Sequence, residues 1–313
     1  MSESTNAAYE RGWQRFAAYC EEIGSDPMAA TPETVASFLL SMGSAPLAHD
    51  ATARRARPLA VGTLRIFLAG IRRRYYEAGR VPPTRDGRVT SVLRGLGRVS
   101  EERPRQVNAL REHEIARMLS RCDALAAHRR FRSIATRDAA LIAIGFAAAL
   151  RRSEICRLQF GDLRFLDESG DPAGMFVHVR RSKTDPFGKG QRVPIPEGSV
   201  LRPVARLKAW LTLAGIVRGP VFQTMRRGGV VVGRAMHPSD VARLVKHYVQ
   251  AIGLDPADYS GHSLRTGFVT SAAVHGARLD KIMEVTRHTS PRMVLRYIRA
   301  AEAFDDHAGD SFL

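Results

Sequence analysis

Apolar residues recur at helical spacing from the start of the chain. Tyr9, Trp13, Phe16, Ala17 and Cys20 share one face of the stretch Thr5 to Cys20, which predicts an opening amphipathic helix. Thr31 before Pro32 reads as an N-cap with proline in the first turn, and Val35, Phe38, Leu39 and Met42 continue it as a second helix. Val61, Leu64, Phe67, Leu68, Ile71 and Tyr75 form a third apolar stripe, with Arg65, Arg72 and Arg73 on its other faces. A short helix over Val89 to Leu96 completes a small bundle. The polar, charged run Ser100 to Gln106, broken by Pro104, then interrupts the pattern and reads as a linker.

Helical periodicity resumes near Ala109, with predicted helices at Glu112 to Arg121 and Ile134 to Leu150. The period then changes to two. Met175 to Val179 and Arg192 to Ile195 read as strands flanking a loop from Ser182 to Gln191. Pro194 and Pro196 lack the N–H that a central strand needs, so the second strand belongs at an edge. Helices follow at Val204 to Leu213, Val241 to Ile252, the small and apolar stretch after His262, and Met293 to Arg299, introduced by Ser290-Pro291. The expected fold is mainly α with a small antiparallel β-sheet: an N-terminal helical domain over 1–100, a linker over 101–108 and a C-terminal α+β domain over 109–313.

Composition narrows the function. The longest apolar run, Ala139 to Leu150, has 12 residues and is too short to span a bilayer. Ser2 to Asn6 are polar and the start of the chain carries no signal-peptide core, so a cytoplasmic location is expected. Cys20, Cys122 and Cys156 are few, odd in number and far apart, which argues against a disulfide framework and against a cysteine metal site. The net charge is +17, unevenly spread: residues 1–50 carry −5, residues 51–105 carry +10 and the remainder +12. A solvated basic face in an arginine-rich chain is the bland explanation, yet such clustering favours a nucleic-acid partner. Arg54, Arg55 and Arg57 in the exposed connection His49 to Pro58, with Arg65, Arg72 and Arg73 on the third stripe, are the candidate DNA contacts.

The chemistry gathers toward the C-terminus. His262 and Arg265, three apart at a helix start, leave from one face where an anion is favoured. Tyr297 lies about two turns into the last helix, with Met293 on the same side. A phosphodiester resists attack until cations surround its non-bridging oxygens, and Arg265 offers a charged planar fork for that purpose. A phenol is a poor nucleophile at neutral pH, and clustered positive charge favours its phenolate. His262 and His288 can donate to the same phosphate or move protons. The apolar helix ending at Leu150 runs into Arg151-Arg152, which fixes at least one arginine rigidly, and Glu154 can orient it. Lys183, one of five lysines beside 43 arginines, can give a proton to a leaving 5′ oxygen, as an arginine cannot. Taken singly, each has a structural explanation: a packed tyrosine, a solvated loop lysine, arginines at a helix end.

Jointly they form a recognisable series. Leu150-Arg151-Arg152-Ser153-Glu154, Arg181-Ser182-Lys183-Thr184-Asp185, Gly261-His262-Ser263-Leu264-Arg265, Arg287-His288-Thr289-Ser290 and Arg296-Tyr297-Ile298, in that order, resemble the tyrosine recombinase (phage integrase) family across nearly the whole chain. The resemblance implies an N-terminal core-binding domain, a catalytic domain, and site-specific cleavage and rejoining of double-stranded DNA. It implies catalytic roles for Arg151, Lys183, His262, Arg265, His288 and Tyr297 through a 3′-phosphotyrosyl intermediate, without cofactor or metal. It further implies a homotetramer on paired DNA sites, an accessory directionality protein as a potential partner, and docking of the tail Ala300 to Leu313 on a neighbour. This chain departs from the family's pattern at Arg287, where glycine is usual, and in the inserted-looking Leu47 to Leu59. Competing functions are a type IB topoisomerase or hairpin telomere resolvase, a regulator that binds DNA without cutting, and a metal-dependent nuclease. The sequence has no Gly-rich phosphate loop ending in Lys-Ser/Thr and no obvious carboxylate cluster for metal-dependent cleavage, which agrees with a reaction that needs neither ATP nor metal.

Overall fold

The computed structural model describes residues 3–44, 58–99, 107–166, 173–180, 190–226 and 228–301. The chain forms two compact units, Met1–Arg105 and Gln106–Leu313. In the first, α1 (Glu3–Glu22), α2 (Pro32–Gly43), α3 (Val61–Glu77) and α4 (Gly87–Val99) enclose Phe16, Cys20, Val35, Phe38, Leu64, Ile71 and Val89. These are the positions of the apolar stripes, and each fully buried large side chain contributes about 1.5–3 kcal/mol. The Thr31 hydroxyl accepts from Thr34 N–H at 3.3 Å and so caps α2. Helices α1 and α3 cross closely: a Cβ on Gly70 would lie 2.3 Å from the Tyr9 carbonyl oxygen. Helix α4 starts two residues before the predicted Val89, because the Asp86 carboxylate accepts from Arg88 N–H at 2.9 Å and opens the turn ahead of the first apolar contact.

The second unit contains α5 (Glu112–Ala126), α6 (Arg132–Ala147), α7 (Arg152–Arg157), β1 (Leu163–Phe165), β2 (Gly174–Val179), β3 (Gln191–Pro196), α8 (Pro203–Ala214), β4 (Gln223–Met225) and β5 (Val231–Ala235). It ends with α9 (Pro238–Ala251), α10 (Ser263–Val274), α11 (Leu279–Thr286) and α12 (Pro291–Ala301). Helix α6 is buried from Ala139 to Phe146 and packs against α5, α8 and α10, as its unbroken apolar run requires. Strands β1, β2 and β3 pair antiparallel in that order, so the proline-bearing β3 is an edge, as predicted. Met175, Val177, Val193 and Ile195 turn inward across the β2–β3 register. The fold is thus mainly helical with small antiparallel sheets. Among the described residues no helix is long and apolar enough to cross a membrane.

Two features of this unit build the site. Helix α6 stops at Ala147, three residues before the predicted Leu150, because Ala149 takes a left-handed backbone (φ 46°) and turns the chain into α7. Helix α10 is anchored by its approach to the segment at Leu110: Leu110 N–H donates to Ser263 O at 3.1 Å, and a Cβ on Gly267 would sit 1.7 Å from Leu110 O. Only glycine fits there.

Candidate active site

The turn between α6 and α7 sets Arg151. This residue is the N-cap of α7, and its backbone N–H donates to Glu154 Oε2 at 2.8 Å while its own Nη1 donates to Glu154 Oε1 at 2.7 Å. Arg151 therefore starts a new helix; it does not trail the end of α6, which corrects the expectation from the sequence. Its side chain stays about one fifth exposed (21%), whereas Glu154 is buried. Burial pushes the Glu154 carboxyl up, but Arg287 and then the bonds from Arg151 outweigh it, and the pKa ends below the usual carboxylate range.

Arg265, on the first turn of α10, is 1% exposed. Its Nη1 donates to the Ala149 carbonyl at 2.7 Å, and its Nη2 is buried with no hydrogen-bond partner among the described residues. Burial, followed by the charges of Arg151 and Arg287, lowers its pKa to about 9, so the group is cationic at neutral pH. A buried guanidinium edge left open in this way is a ready anion site. His262 caps the same helix with its backbone N–H on Ser260 Oγ at 3.1 Å, and keeps an exposed side. Desolvation, then Arg265, Arg151 and Arg152, lower its pKa.

Helix α11 ends at Thr286, and Arg287 and His288 follow it. The Thr286 hydroxyl donates to Ile282 O at 2.7 Å and lies 2.8 Å from His288 Nδ1. Having used its one hydrogen, it accepts from Nδ1–H, which leaves Nε2 of a neutral ring as an acceptor. Desolvation, then Arg265 and Arg151, drive the His288 pKa down to about 4, so the ring is neutral at pH 7. Thr286→Val is expected to lower stability by about 1–3 kcal/mol by stranding Nδ1–H, and to shift the ring toward the other tautomer. Denaturant titration and the ¹⁵N resonances of His288 read the two effects; an unchanged tautomer would contradict the bond.

Tyr297, half-buried on α12, belongs to a small cluster with Val269, Ala273, Ile282 and Val294, and lies within electrostatic reach of Arg265. Val294 takes the fully buried position, and Met293 is 46% exposed. Thus Arg151, His262, Arg265, His288 and Tyr297 come together around three guanidiniums and one carboxylate. Arg287 and Thr286 are the members that the sequence reading did not place; the departure from glycine at 287 was the visible signal.

The remaining candidates fall elsewhere. Lys183, Arg54, Arg55 and Arg57 lie outside the described residues, as do 100–106, the loop 181–189 and the tail from 302. Arg65 is exposed on α3, and Arg72 donates from Nε to Thr84 Oγ1 at 3.3 Å. Arg73 bonds Glu77 Oε1 at 2.6 Å and Asn6 Oδ1 at 2.8 Å, which directs it along the α1–α3 crossing. Among the described residues no group of three or more His, Cys, Asp or Glu is arranged to hold a metal ion.

This geometry can be set beside known proteins. The phage integrase family model matches residues 108–303, which span every member of the cluster. The chain belongs to the phage integrase family. It is 33% identical over 310 residues to an integrase/recombinase xerD homolog of Selenomonas ruminantium, covering 98% of this chain and 84% of that protein. Tyrosine recombinase XerD of Xanthomonas axonopodis pv. citri is 29% identical over 167 residues, 49% of this chain and 48% of its own. Among solved structures, the XerH site-specific recombinase bound to palindromic difH substrate has TM-score 0.62 at 16% identity, covering 96% of this chain and 76% of that one. The Tn1549 transposon integrase in complex with transposon right end DNA has TM-score 0.59 at 16% identity, covering 95% and 89%. At those identities the structures establish a shared fold. As a phage integrase family member, the chain is a site-specific recombinase of the tyrosine type, and DNA is its partner.

Proposed function

We propose that Tyr297 is the nucleophile and that the cluster around Arg265 holds the scissile phosphate. The observation that carries this reading is the buried Nη2 of Arg265, left without a hydrogen-bond partner among the described residues, in a group that shares the electrostatic surroundings of Arg151, His288 and the Tyr297 phenol. The Tyr297 oxygen bonds to phosphorus, the bond to the 5′ oxygen breaks, and a 3′-phosphotyrosyl link and a 5′ hydroxyl result. Arg151 and Arg265 stabilise the charge that develops on the phosphoryl oxygens. His288 enters neutral; a bound phosphodiester offsets the guanidinium charges that hold its pKa down, and the protonated ring then donates from Nε2. His262 assists proton transfer, and Lys183 supplies the proton to the leaving oxygen, a role that rests on the family resemblance. The covalent link conserves the bond for rejoining, so the scheme needs neither ATP nor metal.

Exchange between two duplexes calls for four protomers on paired sites, with the tail 300–313 as the contact offered to a neighbour and an accessory protein to set direction. A cytoplasmic location accords with action on DNA. The test is to incubate the chain with nicked suicide DNA from its own flanking sequence, in EDTA. A DNA adduct that survives denaturation is expected. No adduct on DNA that is demonstrably bound would favour the non-cutting regulator, and cleavage that appears only with added divalent ion would favour a nuclease. Relaxation of supercoils without exchange between sites would favour the topoisomerase reading.

A further inference from the structure

Arg287 is buried at 5% exposure, yet its backbone takes the left-handed conformation (φ 57°, ψ 40°) that costs any side chain more than glycine. The turn itself gives no reason for an arginine. Its side chain does. Nη1 donates to Val285 O at 2.7 Å and Ala148 O at 3.1 Å, and Nη2 donates to Ala149 O at 3.2 Å and Glu154 Oε2 at 2.9 Å. One guanidinium thus joins the end of α11, next to His288, to the α6–α7 turn, next to Arg151. Ala149 is the other left-handed non-glycine in this site, and its carbonyl also receives Arg265. Strained turns persist where their surroundings over-determine them, and here the same group holds two.

We propose that Arg287 is a positioning residue that locks the Arg151 turn, the Arg265 side chain and the His288 turn into one rigid phosphate cradle. This rests on the recombinase reading and deepens it. The Glu154 carboxylate is the link: Oε2 is shared by Arg287 Nη2 and the Arg151 N–H, which fixes the carboxylate plane and leaves Oε1 to orient the Arg151 side chain. Arg287 also offsets the Glu154 charge, so the charges of Arg151 and Arg265 remain for the anion. That surplus favours the transition state, where the phosphoryl group is more negative than in the substrate. Only a planar fork spans carbonyls on one side and a carboxylate on the other; a lysine offers a point charge.

The test compares wild type, Arg287→Gly and Arg287→Lys in single-turnover adduct formation on suicide DNA, in DNA affinity, and in orthovanadate binding as a phosphate probe. Glycine is expected to slow adduct formation about 100-fold through misplacement of Arg151, with DNA affinity held within about threefold because most phosphate contacts lie elsewhere. Vanadate affinity falls about tenfold with the lost preorganisation. The pH profile adds a signature that bulk stability would not move. Glu154 is faced by Arg151 from α7, Arg265 from α10 and Arg287 from α11, and the last is the leading cation holding its pKa down. Its removal shifts the acid limb of cleavage upward in Arg287→Gly, and less in Arg287→Lys, which still cleaves roughly tenfold slower than wild type. Wild-type cleavage in the lysine chain overturns the proposal even where the glycine chain does not fold. So does a loss that only follows the unfolded fraction with the acid limb unmoved. A wild type that binds vanadate without forming an adduct would count against recombination, and the vanadate comparison would still decide the role of Arg287.

Discussion

Arg265→Lys is expected to slow covalent adduct formation by about 10²- to 10³-fold, or about 3–4 kcal/mol of barrier. Arg265 has one nitrogen engaged by the Ala149 carbonyl and another, also buried, with no hydrogen-bond partner among the described residues. A lysine cannot hold the carbonyl and reach a phosphoryl oxygen at once. In the same buried, cation-rich surroundings its ammonium would also tend to lose its proton. Single-turnover cleavage at saturating protein separates this from weaker DNA binding. A change of less than about threefold would mean that the open Nη2 edge does not face the reacting phosphate.

Glu154→Leu is expected to have the largest effect on stability. The carboxylate accepts from the Arg151 backbone, the Arg151 side chain and Arg287, and its loss leaves buried guanidinium charge uncompensated. Breaking such a set costs about 3–5 kcal/mol, a large part of the roughly 5–15 kcal/mol that holds a domain folded. Urea unfolding followed by near-ultraviolet circular dichroism measures it; a midpoint unchanged from wild type would contradict the network. The pH dependence has a defined sign. The folded-state pKa of Glu154 is depressed, so its contribution is present above the unfolded value of about 4.3 and lost as pH falls through the folded one. His288 acts earlier. Its pKa of about 4 lies below the unfolded value of about 6.5, so acid destabilisation begins near the latter and grows toward pH 4.

The helices were legible where one face meets a core: Phe16 with Cys20, Val35 with Phe38 and Leu39, and Leu64 with Ile71 all stand at the spacing that burial demands. The order of Arg151, His262, Arg265, His288 and Tyr297 was legible as well, because their chemical types at those intervals are jointly specific. The end of α6 was not. Ala147 to Leu150 is good helix-forming sequence, and the turn there depends on Arg265 and Arg287 bonding the carbonyls of Ala148 and Ala149 from distant parts of the chain. Strands β1 and β4, three residues each, and the eight-residue α11 are too short for their periods to register. The pattern puts Arg73 off the apolar stripe of α3, and the fold supplies its partners there, Glu77 and Asn6, at the α1–α3 crossing. Sequence spacing assigns a residue to a face; the partner on that face comes from the tertiary fold.

The most direct measurement is to trap the adduct on suicide DNA, digest it, and identify the peptide that carries the 3′ phosphate, beside Tyr297→Phe. The phosphate is expected on Tyr297, and the phenylalanine chain is expected to bind the same DNA while forming no adduct, since it lacks the attacking oxygen. A phosphate on another residue, or an adduct in Tyr297→Phe, would remove Tyr297 from the mechanism.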